Sequence, residues 1–275
     1  MFDLHVHAAP DVVPRGADDI DVVAAYAKAG FSGCVLKAHY ESTVGRAAAA
    51  GRVHGLPVYG GIALNQHVGG VNPAAVAACL DAGGRVVWMP TADAHTQRAH
   101  GLPSLCGARE DLPGHAYGIP PHTPAAEAEA RAVCRMVAEA DAVLATGHLS
   151  AAECHWLIAE ARRAGVRRIL LTHPGYTVPG MPPGEAAELA ALGALVEITT
   201  YQLLHQPGMS GARLAAYAAR VGLEHVVLSS DAGQPDSPSP PEALHLLVDT
   251  LAREGLDRGA LLASAGERPR ALVVP

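Results

Sequence analysis

Short apolar runs and longer amphipathic stretches alternate along this chain with a regular step. Runs rich in Val, Ile and Leu occur at 2–7 (FDLHVH), 33–39 (GCVLKAH), 57–65 (PVYGGIALN), 85–91 (RVVWMPT), 142–148 (AVLATGH), 168–174 (RILLTHP), 194–200 (ALVEITT) and 225–231 (HVVLSSD). Each has the length and composition of a strand. The Ala-rich segments near 18–29, 42–54, 73–82, 124–140, 151–164, 184–192, 209–221 and 240–254 are long enough for crossover helices. Helix punctuation agrees. Asn72-Pro73 reads as an N-cap with Pro at the first helical position, Ser150 with Glu153 as a capping box, and Gly83 and Gly165 follow helical stretches where a left-handed cap is wanted.

Eight strand–helix units predict the α/β class and a distorted (β/α)8 TIM barrel, with residues 1–275 as a single domain. The strand ends are evenly spaced with one exception: 26 residues separate Asn65 from Thr91, but 57 separate Thr91 from His148. The excess falls in 92–123, a Gly-, Pro- and His-rich insertion after strand 4 that carries His95, Arg98, His100, Arg109, His115 and His122. A loop of this length is expected either to fold over the barrel mouth as a lid or to make an oligomer contact. A doubly wound open sheet is the competing fold, but no Gly-rich phosphate turn follows the first strand.

In a barrel the C-terminal strand ends share one face. Here they carry His5 and His7, Lys37 and His39, Asn65, Thr91, His148, His173, Thr199 and Asp231. Strand side chains alternate, so His5 and His7 point one way while Leu4 and Val6 face the outer helices. An isolated His-x-His is more often solvated surface, and a lone strand-end His is more often a hydrogen-bonded structural group. Co-location changes that: imidazoles from strands 1, 5 and 6 with a carboxylate from strand 8 form a donor set for a divalent cation, of which zinc is the commonest for such ligands. A bound cation lowers the pKa of its water from 15.7 to about 7, and Asp231 is placed to accept the proton.

Composition bounds the partners. Apolar residues make up 49% of the chain and aromatics 4%, so the core rests on Ala, Val and Leu. The net charge of -7 and the absence of a Lys/Arg run exclude nucleic acid and anionic membrane as expected partners. No apolar run approaches the ~20 residues of a membrane span, and residues 1–10 lack the pattern of a signal peptide. The five cysteines (Cys34, Cys79, Cys106, Cys134, Cys154) form no CxxC pair, which fits reduced thiols and a cytoplasmic location.

The motifs DLHVH (3–7), GHLS (147–150), LTHP (171–174) and SSDAG (229–233) together resemble the amidohydrolase superfamily, in that family's strand order and across the whole chain. ERPRALV (267–273) resembles the family's closing NPA-x-x-L helix, with Glu in place of Asn. The resemblance implies a metal-dependent hydrolase with one or two divalent ions, attacking an amide, ester, lactone or phosphoester bond of a small molecule. It implies that His5, His7, His148 and His173 are metal ligands, and Asp231 both a ligand and the general base. The sequence departs from the family at strand 4. RVVWMPTAD holds no Lys, and its nearest acid is Asp93. Lys37 on strand 2 is then either carboxylated and bridging two metals, or the site holds a single metal with protonated Lys37 or His39 polarising substrate.

Substrate choice falls to the loops. Arg15 either clamps a carboxylate or phosphate or pairs with Asp18 or Asp19. Asn65, Thr91 and Tyr201 are expected substrate contacts, with Thr200 and His205 as further pocket walls. Two other functions remain open: a metal-dependent decarboxylase or carbon–carbon lyase on the same scaffold, and a non-catalytic ligand-binding barrel. A small-molecule substrate is the expected partner, and homo-oligomer formation stays open.

Overall fold

The structure, a computed structural model, describes residues 1–102 and 114–274; Cys106 and Arg109 of the insertion lie outside the described residues. Among the described residues, nine strand segments fill eight barrel positions: β1 (Asp3–Val6), β2 (Cys34–Leu36), β3 (Val58–Tyr59), β4 (Gly61–Ala63), β5 (Val86–Trp88), β6 (Val143–Ala145), β7 (Arg168–Leu171), β8 (Ala194–Thr199) and β9 (Val226–Ser229). They pair in parallel, β1-β2-β3 in one sheet and β4 through β9 in the other. β3 and β4 are two halves of one strand, broken at Gly60. A Cβ there would lie 2.7 Å from the Thr43 backbone, which packs against the break.

The two sheets close on each other at the β1/β9 edge. Val6 bridges Ala232, the Asp231 N–H donates to the His5 carbonyl at 2.8 Å, and the His7 N–H donates to the Ala232 carbonyl at 2.8 Å. The closing seam therefore joins the two segments that carry His5, His7 and Asp231. The expected (β/α)8 barrel is the observed fold, with crossover helices at Asp19–Lys28, Val44–His54, Pro73–Asp81, Glu127–Glu139, Ala151–Arg163, Pro183–Ala191, Gly211–Val221 and Pro240–Arg253. Asn72 caps its helix through its side chain, and Ser150 and Glu153 form the capping box. Arg258–Ser264 is a helix that the apolar pattern did not single out.

Two apolar clusters build the core. One lies between strands and helices and includes Val6, Leu36, Ile62, Val87 and Leu144. The other fills the barrel interior with Phe2, Leu4, Val35, Ala63, Trp88 and Val227, plugged by Leu272 and Val273 of the closing helix Glu267–Val273. Leu4 thus packs inside, not toward the helices as alternation predicts, while Val6 does face the helices. The cause is a one-residue register shift in β1: Asp3 lies opposite Cys34 but Val6 opposite Leu36. Such an irregularity places neighbouring residues on one side of a strand. No helix among the described residues is long and apolar enough to cross a membrane.

Candidate metal centre

His5 and His7 stand on the first strand and just past it, and Asp231 on the turn after β9, across the seam. One ring nitrogen each of His5 and His7 and a carboxylate oxygen of Asp231 lie within 4.8 Å of one another, all three residues buried. Asp231 Oδ1 is 3.0 Å from His5 Nε2 and 3.2 Å from His7 Nε2. His173 joins this group, its Nε2 3.8 Å from Asp231 Oδ2. His148 stands one ring further out, its centroid 5.0 Å from that of His173. This arrangement draws its donors from the first, sixth and eighth strands of the barrel, with the imidazole of the fifth beside them.

Backbone strain concentrates here. Among the described non-glycine residues only Asp141, His173 and Asp231 have positive φ, at 46°, 27° and 50°. Two of the three are expected ligands, and such conformations cost about 1–3 kcal/mol each and persist where surrounding structure enforces them. Gly233 of the SSDAG motif lets the same turn run against β1: a Cβ there would sit 2.1 Å from the His7 carbonyl oxygen.

The electrostatics favour neutral imidazoles facing a charged carboxylate. Burial pushes His7, His39 and His148 well below the ordinary histidine range and His173 down to about 4. His5 differs: burial is the largest influence and lowers it, but the Asp231 and Glu197 carboxylates together outweigh burial and the net shift is upward. Burial would likewise raise Asp231, yet the adjacent His5 and His7 hold it well below the usual carboxylate range. Neutral imidazoles with a carboxylate are the donor set that a divalent cation such as zinc takes, and the buried His173 Nδ1 has no protein partner. The residues present fit a metal.

The remaining expected site residues divide into two groups. Lys37, His39, Arg15 and Tyr201 line a cavity of about 270 Å3 together with His7, His148, His173 and Asp231. Lys37 Nζ is 2.9 Å from His5 Nε2, and burial lowers its pKa to about 8. His39 stacks on His7 at 5.0 Å and its Nδ1 lies 2.8 Å from Thr91 Oγ1. Arg15 pairs with Asp11 at 2.7 Å and lies 3.3 Å from His7 Nδ1. Its partner is neither Asp18, which caps its helix through Asp21 N, nor Asp19, which binds Arg46.

Asn65 and Thr91 are fully buried and do not line the cavity. The Asn65 amide accepts from Thr91 N and Asp93 N and donates to the His39 carbonyl and Thr91 Oγ1. They brace His39 from behind. Thr200 donates to the Ala243 carbonyl, and His205 lies 2.9 Å from Ser237 Oγ. Asp93 accepts from Gln66 N, on the strand-3 loop.

Four residues at the site escaped the sequence reading. Glu197, 1% exposed, sits 3.1 Å from His5 Nδ1. Its signal was a lone acid inside the apolar run ALVEITT. Tyr176, Gln97 and Gln234 also line the cavity; Tyr176 and Gln234 lie in loops and Gln97 in a single helical turn of the insertion, so no period marks them. Gln97 belongs to a short helix (His95–Ala99) of the strand-4 insertion and places Oε1 3.3 Å from His148 Nδ1. That helix is docked on the rim: Thr96 donates to the His148 carbonyl, and His95 Nε2 lies 2.7 Å from the buried Glu153, which also accepts from Ile119 N.

Solved structures share this fold. YJJV, a TatD homologue from Escherichia coli K12, superposes with a TM-score of 0.59 at 15% identity, covering 100% of this chain and 98% of that one. The organophosphorus hydrolase from Deinococcus radiodurans gives 0.61 at 13% identity, covering 99% and 92%. An amidohydrolase from Pseudomonas aeruginosa gives 0.62 at 12% identity, covering 100% and 97%. No curated protein matches the sequence. The family model that does match, over residues 1–197, is that of a family of unknown function, and by that match the chain belongs to the DUF6282 family.

Proposed function

We propose that the chain is a metal-dependent hydrolase of the amidohydrolase type, acting on an amide, ester, lactone or phosphoester bond of a small molecule. The observation that carries this reading is the convergence of His5, His7 and Asp231 within 4.8 Å at the C-terminal rim of the barrel. His5, His7, His173 and Asp231 would hold the cation, with His148 and Lys37 completing the set. Zinc suits these donors. Bound there, a divalent cation polarises the scissile bond and makes water a nucleophile at neutral pH.

The chain's own residues do the rest. Asp231, held ionised, accepts the proton of the attacking water and returns it to the leaving group. Lys37 would either carry a carboxylate that helps hold two ions or, with a single ion, protonated Lys37 or His39 would polarise the substrate. Arg15 presents its guanidinium to an anionic substituent of the substrate. Tyr201 and Tyr176 supply neutral hydroxyls to the cavity wall.

A second reading, a metal-dependent decarboxylase, draws on Arg15 at the cavity wall and the lack of a strand-4 Lys. One experiment separates them: a metal-supplemented screen of lactones, amides, phosphoesters and aromatic carboxylates. Hydrolysis abolished by Asp231→Asn supports the first reading, and CO2 release without net water addition supports the second. Tight ligand binding with no turnover, unchanged in Asp231→Asn, would leave only a binding barrel.

A further inference from the structure

Glu197 is a buried carboxylate in the middle of β8, and every partner it has belongs to the candidate metal centre. Its Oε1 accepts from His5 Nδ1 at 3.1 Å and from the Ser229 hydroxyl at 2.5 Å; its Oε2 accepts from the His173 backbone N–H at 3.2 Å. Ser229 is two residues before Asp231. One side chain thus ties together three ligand-bearing segments.

Packing does not explain an acid at this position. The cluster beside it is apolar, and a fully buried carboxylate carries a desolvation cost that an apolar residue of the same volume would avoid. A carboxylate is, however, the side chain that accepts from three donors at once. Its bond to Nδ1 makes that nitrogen the proton carrier of the His5 ring, which aims Nε2 at the point shared with His7 and Asp231. Its bond to the His173 N–H braces a residue held at positive φ.

We infer that Glu197 is the positioning residue of the metal centre, fixing the His5 tautomer and ring orientation and the His173 backbone, so that its removal weakens metal binding without unfolding the chain. The inference rests on the metal-dependent reading above. Outer partners of ligating histidines act in this way, and their loss typically costs 10–100-fold in metal affinity.

The test compares wild type with the near-isosteric Glu197→Gln. Zinc affinity is measured by competition with a chromophoric chelator, and thermal stability is measured in excess EDTA. Nitrogen NMR reads the His5 tautomer in the metal-free protein. The expected result is zinc affinity lower by about 10–100-fold, a mixed His5 tautomer, and a melting point in EDTA close to wild type. Ser229→Ala, which removes one donor that orients Glu197, gives a smaller shift in the same direction and stands in if Glu197→Gln does not fold. Unchanged zinc affinity in a folded variant, with any stability loss equal in EDTA and in zinc, overturns the inference while leaving the hydrolase reading intact. Wild type that binds no zinc at all overturns both.

Discussion

The two ends of the barrel are equally buried and chemically opposite. At the floor, Phe2, Leu4, Val35 and Trp88 pack against Leu272 and Val273 of the closing helix. The carbonyls at the end of that helix are satisfied: Arg85 donates to Val273 O at 2.9 Å, and Arg168 to Ala271 O at 2.6 Å and Leu272 O at 2.8 Å. At the rim, His5, His7, Lys37, His39, His148, His173 and Asp231 are between 1% and 7% exposed, and two of them sit in strained backbone. Burial at the floor stabilises the fold through the apolar area removed from water. At the rim it desolvates charged and polar groups, which is a cost. The difference shows where the barrel's stability comes from and where it is given up to hold reactive groups close.

That contrast can be broken at either end. The largest expected effect is on activity: Asp231→Asn lowers turnover by about 10^2–10^4-fold, the range for losing a general base, and lowers metal affinity, while the metal-free protein melts within a few degrees of wild type. Steady-state rates and melting in EDTA check it. If Asp231→Asn unfolds the chain, the rim is structural and the contrast fails. Next comes the floor. Phe2→Ala removes a fully buried ring and costs about 3–5 kcal/mol, read by denaturant unfolding. The loss is the same with and without metal, and the kinetics per folded molecule are unchanged.

The smallest effect concerns the floor's polar fastening. Arg168, with Arg167, holds the Asp141 carboxyl down at about 2. A carboxylate depressed in the folded state contributes stability that is present above its unfolded pKa near 3.9 and is lost as pH falls through about 2. Asp141→Asn, which tolerates the positive φ of this position, is therefore slightly less stable than wild type at pH 5, and the gap closes between pH 4 and pH 2.

The parts of the molecule legible in the sequence are those written as a period or as a spaced motif. Strands and crossover helices follow from apolar runs and amphipathic repeats, and β6 through β9 begin within a residue or two of the expected positions. His5, His7 and Asp231 were legible because strand alternation and barrel geometry alone bring them to one rim. Leu4 misled because a register shift in β1 leaves no mark on composition. Arg15 misled because its partner, Asp11, lies four residues earlier in the loop, nearer than Asp18 or Asp19 only once the loop is folded. Asn65 and Thr91 point into the backbone of neighbouring strand ends and not into the cavity, a choice made by hydrogen-bond satisfaction that no single strand reveals. Glu197 meets His5 across 192 positions of chain, a contact that only barrel closure creates.

The central claim, that the rim is built around a divalent cation, is tested most directly by titrating metal-free protein with zinc in a calorimeter while following the melting temperature. The account predicts saturable binding of one or two ions per chain, a melting temperature that rises with free zinc, and weaker binding in Asp231→Asn. No stoichiometric binding and no thermal shift in wild type would contradict it.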